Sequence, residues 1–139
     1  MRELKISASI LGADFRCLID YVRQLEAAGV DWLHFDIMDG HFVEQITFGA
    51  LLPKTFRKET ALFFDAHLMV DDPARQVPFF VDAGANMISI QVEAVPDPER
   101  AFEKAMAYAG TEDLVLVTGS VFLAGKAIQV LGSSKVRET

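Results

Sequence analysis

The sequence predicts an α/β domain of about five parallel βα units, and three observations carry that expectation. Short apolar runs of strand length alternate with segments of helical periodicity. The helical segments carry their own punctuation, with Asp72-Pro73 and Asp97-Pro98 at openings and Gly29 and Gly110 at ends. A length of 139 residues, 51% of them hydrophobic, suffices for one well-buried domain and not for two. Strands separated by helices pair in parallel through right-handed crossovers, so helices should cover the sheet.

The first strand is expected in "LKISASIL" (4–11). In "ADFRCLIDYVRQLEAAG" (13–29), Phe15, Leu18, Ile19, Val22 and Leu25 have amphipathic spacing, Cys17 reads as a small buried side chain, and Gly29 stops the helix. "DWLHFDIM" (31–38) is the second strand, followed by a loop to about Gly49. There His41 is expected to hydrogen-bond within the loop, and "DGH" not to form a hairpin turn, because the connection that follows is helical. "ALLPKTFRKE" (50–59) is a weaker helix with Pro53 in its first turn, and "ALFFDAHLMV" (61–70) is the third strand. In "DPARQVPFFVDAGA" (72–85), Asp72 caps, Pro73 takes the first helical position, and Pro78 should disturb the middle. "NMISIQVEA" (86–94) is the fourth strand. A helix (97–110), a fifth strand "DLVLVTGS" (113–120) and a closing helix (121–132) follow, and the tail 133–139 reads as disordered. The eleven phenylalanines, Phe63, Phe64, Phe79 and Phe80 among them, are assigned to the core with Trp32.

Alternation along two of these strands points to chemistry. In "WLHFDIM", Trp32, His34, Asp36 and Met38 share one face, and Leu33, Phe35 and Ile37 the other. In "FDAHLM", Asp65, His67 and Met69 share a face opposite Phe64, Ala66 and Leu68. The apolar sets pack on helices, which aims His34, Asp36 and His67 inward near the C-terminal strand ends, where active sites of parallel α/β proteins lie. Two imidazoles and a carboxylate suit a divalent zinc, manganese, iron or cobalt ion.

Composition narrows the function classes. The formal net charge of −7 comes without a long single-sign run, which argues against a nucleic-acid partner. No segment approaches the roughly 18 apolar residues of a membrane span, and the N-terminus lacks the layout of a signal peptide. One cysteine excludes an internal disulfide and fits a reducing, cytoplasmic setting.

From about Lys5 to Ala94 the chain resembles the ribulose-phosphate 3-epimerase family, through "SASIL.ADF", "WLHFDIMDGHFV..ITFG", "DAHLMV.DP" and "F..AGANMISI.VEA". The resemblance implies a (βα)8-barrel metalloenzyme acting on a sugar phosphate, interconverting D-ribulose 5-phosphate and D-xylulose 5-phosphate. It further implies His34, Asp36 and His67 as metal ligands, Asp36 also as a catalytic acid/base, Ser9, Met38 and Met69 as substrate contacts, and Gln91 as another, where the family usually has histidine. The family's second aspartate, in a late DGG-like motif, has no counterpart in this sequence. Turnover would then need Asp39, Asp65, Glu93 or a partner chain in its place.

Residues 97–131 are similar to the C-terminal end of folylpolyglutamate synthase, although no P-loop accompanies them. On the alternative alignment with the epimerase's last strand, Gly119 and Ser120 are candidate phosphate-binding residues at a helix N-terminus. Together these resemblances imply epimerase-like βα units over 1–94 joined to an appended αβα segment over 95–132, a recombinant or designed chimera or, alternatively, a natural truncated gene product, with an incomplete site. The fold would be a half-barrel or a flattened doubly wound sheet, and homodimerisation would cover its exposed strand faces. An epimerase, a metal- and sugar-phosphate-binding module, and an inactive structural chimera are the three functional expectations.

Overall fold

Four strands, β1 (Ser7–Ser9), β2 (Trp32–Met38), β3 (Phe63–Met69) and β4 (Met87–Ile90), pair in parallel in the order β1-β2-β3-β4. This sheet is seen in a computed structural model that describes residues 4–94. The chain divides into two compact units, Met1–Ala94 and Val95–Thr139, and the sheet belongs to the first. The helix, strand and closing helix expected over 97–132, the tail, and Gly119 and Ser120 lie outside the described residues.

Burial on β2 alternates residue by residue. Leu33, Phe35 and Ile37 are buried, whereas Trp32, His34, Asp36 and Met38 are only partly so. The buried side packs on helices α1 (Leu18–Ala27), α2 (Leu51–Phe56) and α3 (Pro73–Asp82), which contribute Leu18, Val22, Phe56 and Phe80 to one core with Phe64, Ala66 and Leu68 of β3. Phe35 is fully buried at its centre, its ring 4.9 Å from Phe64 and 6.2 Å from Phe56. A doubly wound sheet reverses its strand order and carries helices on both faces. Sequential order with helices packed against one face is the winding of a barrel wall, so the described residues take the partial-barrel form of the α/β expectation.

Several local expectations need correction. The first strand is three residues long rather than eight, because pairing with β2 runs only from Ser7 with Trp32 to Ser9 with His34, and Leu4 and Ile6 are exposed. The first helix is preceded by a 3₁₀ turn at Phe15–Cys17, where Asp14 accepts from the Arg16 N–H at 3.0 Å. Cys17 is exposed, since Leu18 and Val22 hold the core-facing positions. Phe15, in the 3₁₀ turn, and Phe79 are 53% and 56% exposed rather than core, because Leu18 and Val22 hold the buried positions on α1 and Phe80 that on α3. Pro78 does not break α3: the Asp72 carboxylate accepts from the Arg75 N–H at 3.1 Å, Pro73 fixes the start, and Phe80 anchors the far side. The fourth strand ends at Ile90, after which a 3₁₀ turn, Val92–Ala94, closes through Ala94 N–H on the Gln91 carbonyl at 3.1 Å.

Arg57 secures the wall from beneath. Its guanidinium donates to the carbonyls of Thr60 and Leu62, both at 2.7 Å, and to Asn86 Oδ1 at 3.2 Å, while lying 3.6 Å from the centre of the Phe64 ring. It ties the chain after α2 to the starts of β3 and β4.

As expected, no return strand follows β2 and the next element is helix α2, but one isolated antiparallel bridge, which was not expected, closes the loop between them. Asp39 bridges Ile46 in antiparallel fashion, and Gly40 N–H donates to the Gln45 carbonyl at 3.0 Å. Gly40 sits at φ +75°, a conformation that favours glycine. The Asp39 carboxylate organises the turn by accepting from the N–H groups of His41 and Phe42, each at 2.9 Å, and of Asp71 at 2.8 Å. The Asp71 bond first, then those of His41 and Phe42, holds its pKa below the ordinary carboxylate value of 3.8. Because its folded-state value is depressed, its contribution to stability is present above about 3.8 and is lost as pH falls towards the folded value. Asp39→Asn should therefore flatten the acid limb of a stability-versus-pH curve below pH 4, roughly, and an unchanged limb would assign that limb to other carboxylates. The His41 ring meets the Asp39 carbonyl at 3.1 Å, the loop contact expected of it.

Candidate metal centre

Strand register stacks the inward side chains in rows. Trp32 pairs with Phe63, His34 with Ser9 and Asp65, Asp36 with His67, and Met38 with Met69. Trp32 and Phe63 stack at 4.7 Å, forming an aromatic floor at the N-terminal end. Polar rows follow, and the two methionines sit side by side at the C-terminal strand ends. A period of two on neighbouring parallel strands is sufficient to bring these groups together.

His34 Nε2 lies 3.2 Å from Asp36 Oδ1, and His67 Nδ1 lies 3.5 Å from the same oxygen. One ligand atom from each of His34, Asp36 and His67 falls within 4.8 Å of the others. Four-coordinate ligands about 2.1 Å from a zinc ion stand roughly 3.4 Å apart, so these separations fit one ion with little movement. The other Asp36 oxygen, Oδ2, accepts the Ser9 hydroxyl at 2.6 Å, which leaves Oδ1 facing the histidines. Outside this trio, Asp65 Oδ2 meets His34 Nδ1 at 2.6 Å and Gln91 Nε2 meets His67 Nε2 at 2.8 Å. Asp65 thus gives His34 the carboxylate partner that orients a metal-binding imidazole, and the Gln91 amide nitrogen meets the outer ring nitrogen of His67.

Charge balance argues in the same direction. Asp65 is 5% exposed, and its Oδ1 is buried with no hydrogen-bond partner among the described residues. Two carboxylates beside two neutral imidazoles leave an uncompensated negative charge in a half-dry site, which a cation relieves. The donor set and spacing therefore fit a divalent metal. In its absence a proton serves: the Asp65 hydrogen bond, opposed by partial burial and assisted by the nearby charges of Asp65 and Asp36, raises His34 above its ordinary 6.5.

A raised value stabilises the metal-free fold fully below about 6.5 and loses that contribution as pH rises through the folded value. Asp65→Asn should lower the His34 titration followed by NMR, remove this dependence, and weaken zinc binding by about 10–100-fold. An unaltered His34 titration would show that Asp65 does not govern that ring.

Ser9, Met38, Met69 and Gln91 all border the trio, although Ser9 and Gln91 are engaged with Asp36 and His67 respectively. Alternation already placed Asp65 on this face, but its bond to His34 required the β2–β3 register. Thr47 was not foreseen. Its hydroxyl donates to the Asp36 carbonyl at 2.7 Å and accepts from Met38 N–H at 3.0 Å, pinning the returning loop to the strand that carries Asp36.

Fold and site together define a parallel βα protein of barrel winding with a histidine–aspartate–histidine cluster, compatible with a divalent metal, at the C-terminal ends of neighbouring strands. The model of the Ribulose-phosphate 3 epimerase family matches residues 5–121, and the chain belongs to that family. It is 42% identical over 100 residues to the ribulose-phosphate 3-epimerase of Bacillus subtilis, covering 72% of this chain and 46% of that protein. It is 38% identical over 116 residues to that of Rhodobacter capsulatus, covering 84% and 50%. It is 44% identical over 91 residues to the chloroplastic ribulose-5-phosphate-3-epimerase of Arabidopsis thaliana, covering 66% and 32%. The chain spans about half the length, or less, of these relatives. The family match also runs past Ala94 into the segment likened above to folylpolyglutamate synthase. No helix among the described residues is long and apolar enough to cross a membrane.

Proposed function

We propose that residues 4–94 form the metal-holding half of a pentulose 5-phosphate epimerase site. The observation that carries this reading is the convergence of His34, Asp36 and His67 within 4.8 Å of one another in a chain of this family. A divalent ion held there would act as a Lewis acid towards the negative charge that builds on a ketone oxygen as the neighbouring carbon loses its proton.

Asp36 takes that proton. The Ser9 hydroxyl, 2.6 Å from Oδ2, fixes the plane of its carboxylate, and Met38 and Met69 wall the site with polarisable, apolar side chains. Gln91 borders the sugar on the side of β4, and Gly119 and Ser120 are candidates for its phosphate.

Inverting a stereocentre also needs an acid on the opposite face. Asp39 is committed to three backbone N–H groups, Asp65 to His34, and Glu93 is exposed in a 3₁₀ turn. The chain by itself accordingly binds metal and sugar phosphate without turnover, and the second acid comes from outside residues 4–94 or from a second copy in a homodimer. The exposed thiol of Cys17 suits a reducing, cytoplasmic setting.

Calorimetry on metal-stripped protein tests the reading, with His34→Ala/His67→Ala as control and an epimerase assay on the loaded chain. Binding of about one zinc or manganese ion per chain, lost in the double variant and without turnover, is expected. No heat, or equal heat in the variant, would overturn the metal centre, and turnover would overturn the half-site.

The division of the chain after Ala94 favours a second reading, a structural chimera joined there. It predicts that the whole chain binds no zinc, His34, Asp36 and His67 being inherited without their chemistry.

A further inference from the structure

The two histidines are held from behind by partners of different chemistry. Asp65 offers His34 an acceptor, whereas the atom of Gln91 that meets His67 is its amide nitrogen, Nε2, 2.8 Å from the ring Nε2. A carboxamide NH₂ only donates, so the ring nitrogen opposite it must accept. A neutral imidazole carries one N–H, which places the proton of His67 on Nδ1, the atom facing Asp36 Oδ1 at 3.5 Å. That is the wrong nitrogen for a ligand: to bind an ion from this position, Nδ1 must present its lone pair and the proton must sit on Nε2.

From this mismatch we infer that Gln91 is a positioning residue that sets the tautomer of His67, and that filling the site requires its amide to turn over. The inference rests on the metal centre proposed above. A half-turn about the last side-chain bond puts Oε1 where Nε2 stands, and the oxygen then accepts from His67 Nε2–H. One proton leaves Nδ1 for solvent and one from solvent reaches Nε2, so His67 releases no net proton on loading. Because a carboxamide carries its donor and acceptor on the same carbon, one residue serves both states with little movement of the backbone. Asp65 behaves differently. As an acceptor in either state it keeps His34 protonated on Nδ1, with Nε2 turned towards the centre. The site therefore has one ligand fixed in its binding tautomer and one gated by an amide.

Two substitutions separate gating from simple support. Gln91→Leu keeps most of the volume and removes both donor and acceptor, and Gln91→Glu offers only an acceptor, as Asp65 does for His34. Zinc affinity should fall about 10–100-fold in Q91L, the range typical of lost outer-shell partners, and equal or exceed the parent in Q91E, where the binding tautomer is fixed beforehand. Long-range ¹H–¹⁵N spectra of the three imidazoles, recorded where the rings are neutral, supply a readout independent of activity. They should show His67 as the Nδ1–H tautomer in the metal-free parent, and as Nε2–H in the zinc-loaded parent and in metal-free Q91E.

A metal-free parent already in the Nε2–H form, zinc loading that leaves the tautomer unchanged, or equal losses of affinity in Q91L and Q91E with native melting curves would each overturn the role of Gln91 and leave the metal centre standing. Failure of zinc to bind the parent would overturn the metal centre instead.

Discussion

Asp36→Ala should abolish zinc binding while leaving the chain folded. Asp36 is the only carboxylate of the trio, and its Oδ1 is the atom from which both histidine nitrogens are measured, at 3.2 and 3.5 Å. Without it two neutral imidazoles face each other across a vacancy and the ion loses both its oxygen ligand and its nearest charge. The loss should exceed about 100-fold, beyond what removal of an outer partner such as Asp65 produces. The fold tolerates the change because the Asp36 side chain faces the partly open side of the sheet and packs against none of the core phenylalanines. Ser9 merely loses a partner at a site water can reach. Asp36→Asn keeps the hydrogen bond from Ser9 and loses the charge, so its affinity should fall between that of the alanine variant and the parent. Calorimetry with a circular-dichroism melt as control reads both effects, and an alanine variant that binds zinc like the parent would place the ion elsewhere.

Phe35→Ala should have the largest effect on stability, a loss of about 3–5 kcal/mol. The ring is fully buried and lies against Phe48, Phe56 and Phe64, so truncation removes its own burial and leaves a cavity walled by three rigid rings. Stability of a domain is of the order of 5–15 kcal/mol, so the variant should be partly unfolded at room temperature or nearly so. Zinc at about 100 times its dissociation constant should return some 2.7 kcal/mol, because only the folded chain assembles the three ligands. Urea titrations with and without zinc measure both quantities. A loss below about 1 kcal/mol would contradict a single core centred on this ring.

Much of this arrangement was legible in the residues themselves. Period-two alternation in "WLHFDIM" and "FDAHLM" was enough to place His34, Asp36 and His67 on one face, because neighbouring parallel strands keep their inward rows level. Asp72-Pro73 announced α3 for a local reason, a cap followed by a residue without an N–H. What escaped depends on contacts distant in sequence. The role of Arg57 depends on Thr60, Leu62 and Asn86, which the fold brings around its guanidinium. The return of the loop after Asp39 rests on its bonds to Asp71 and on Thr47 reaching back to Asp36, neither of which a hairpin rule contains. Phe79 and Cys17 were assigned by residue type, whereas the helix face decides, and both fall off it. Gln91 stood out only as a departure from the family's usual histidine. Its amide nitrogen against His67 gave that departure a chemical meaning.

The most direct test of the account is anomalous scattering at the zinc edge from crystals of the zinc-loaded chain. A single peak bonded to His34 Nε2, Asp36 Oδ1 and His67 Nδ1 is the predicted result. A peak elsewhere, at the exposed His41 or Cys17 for example, with none between β2 and β3, would contradict it.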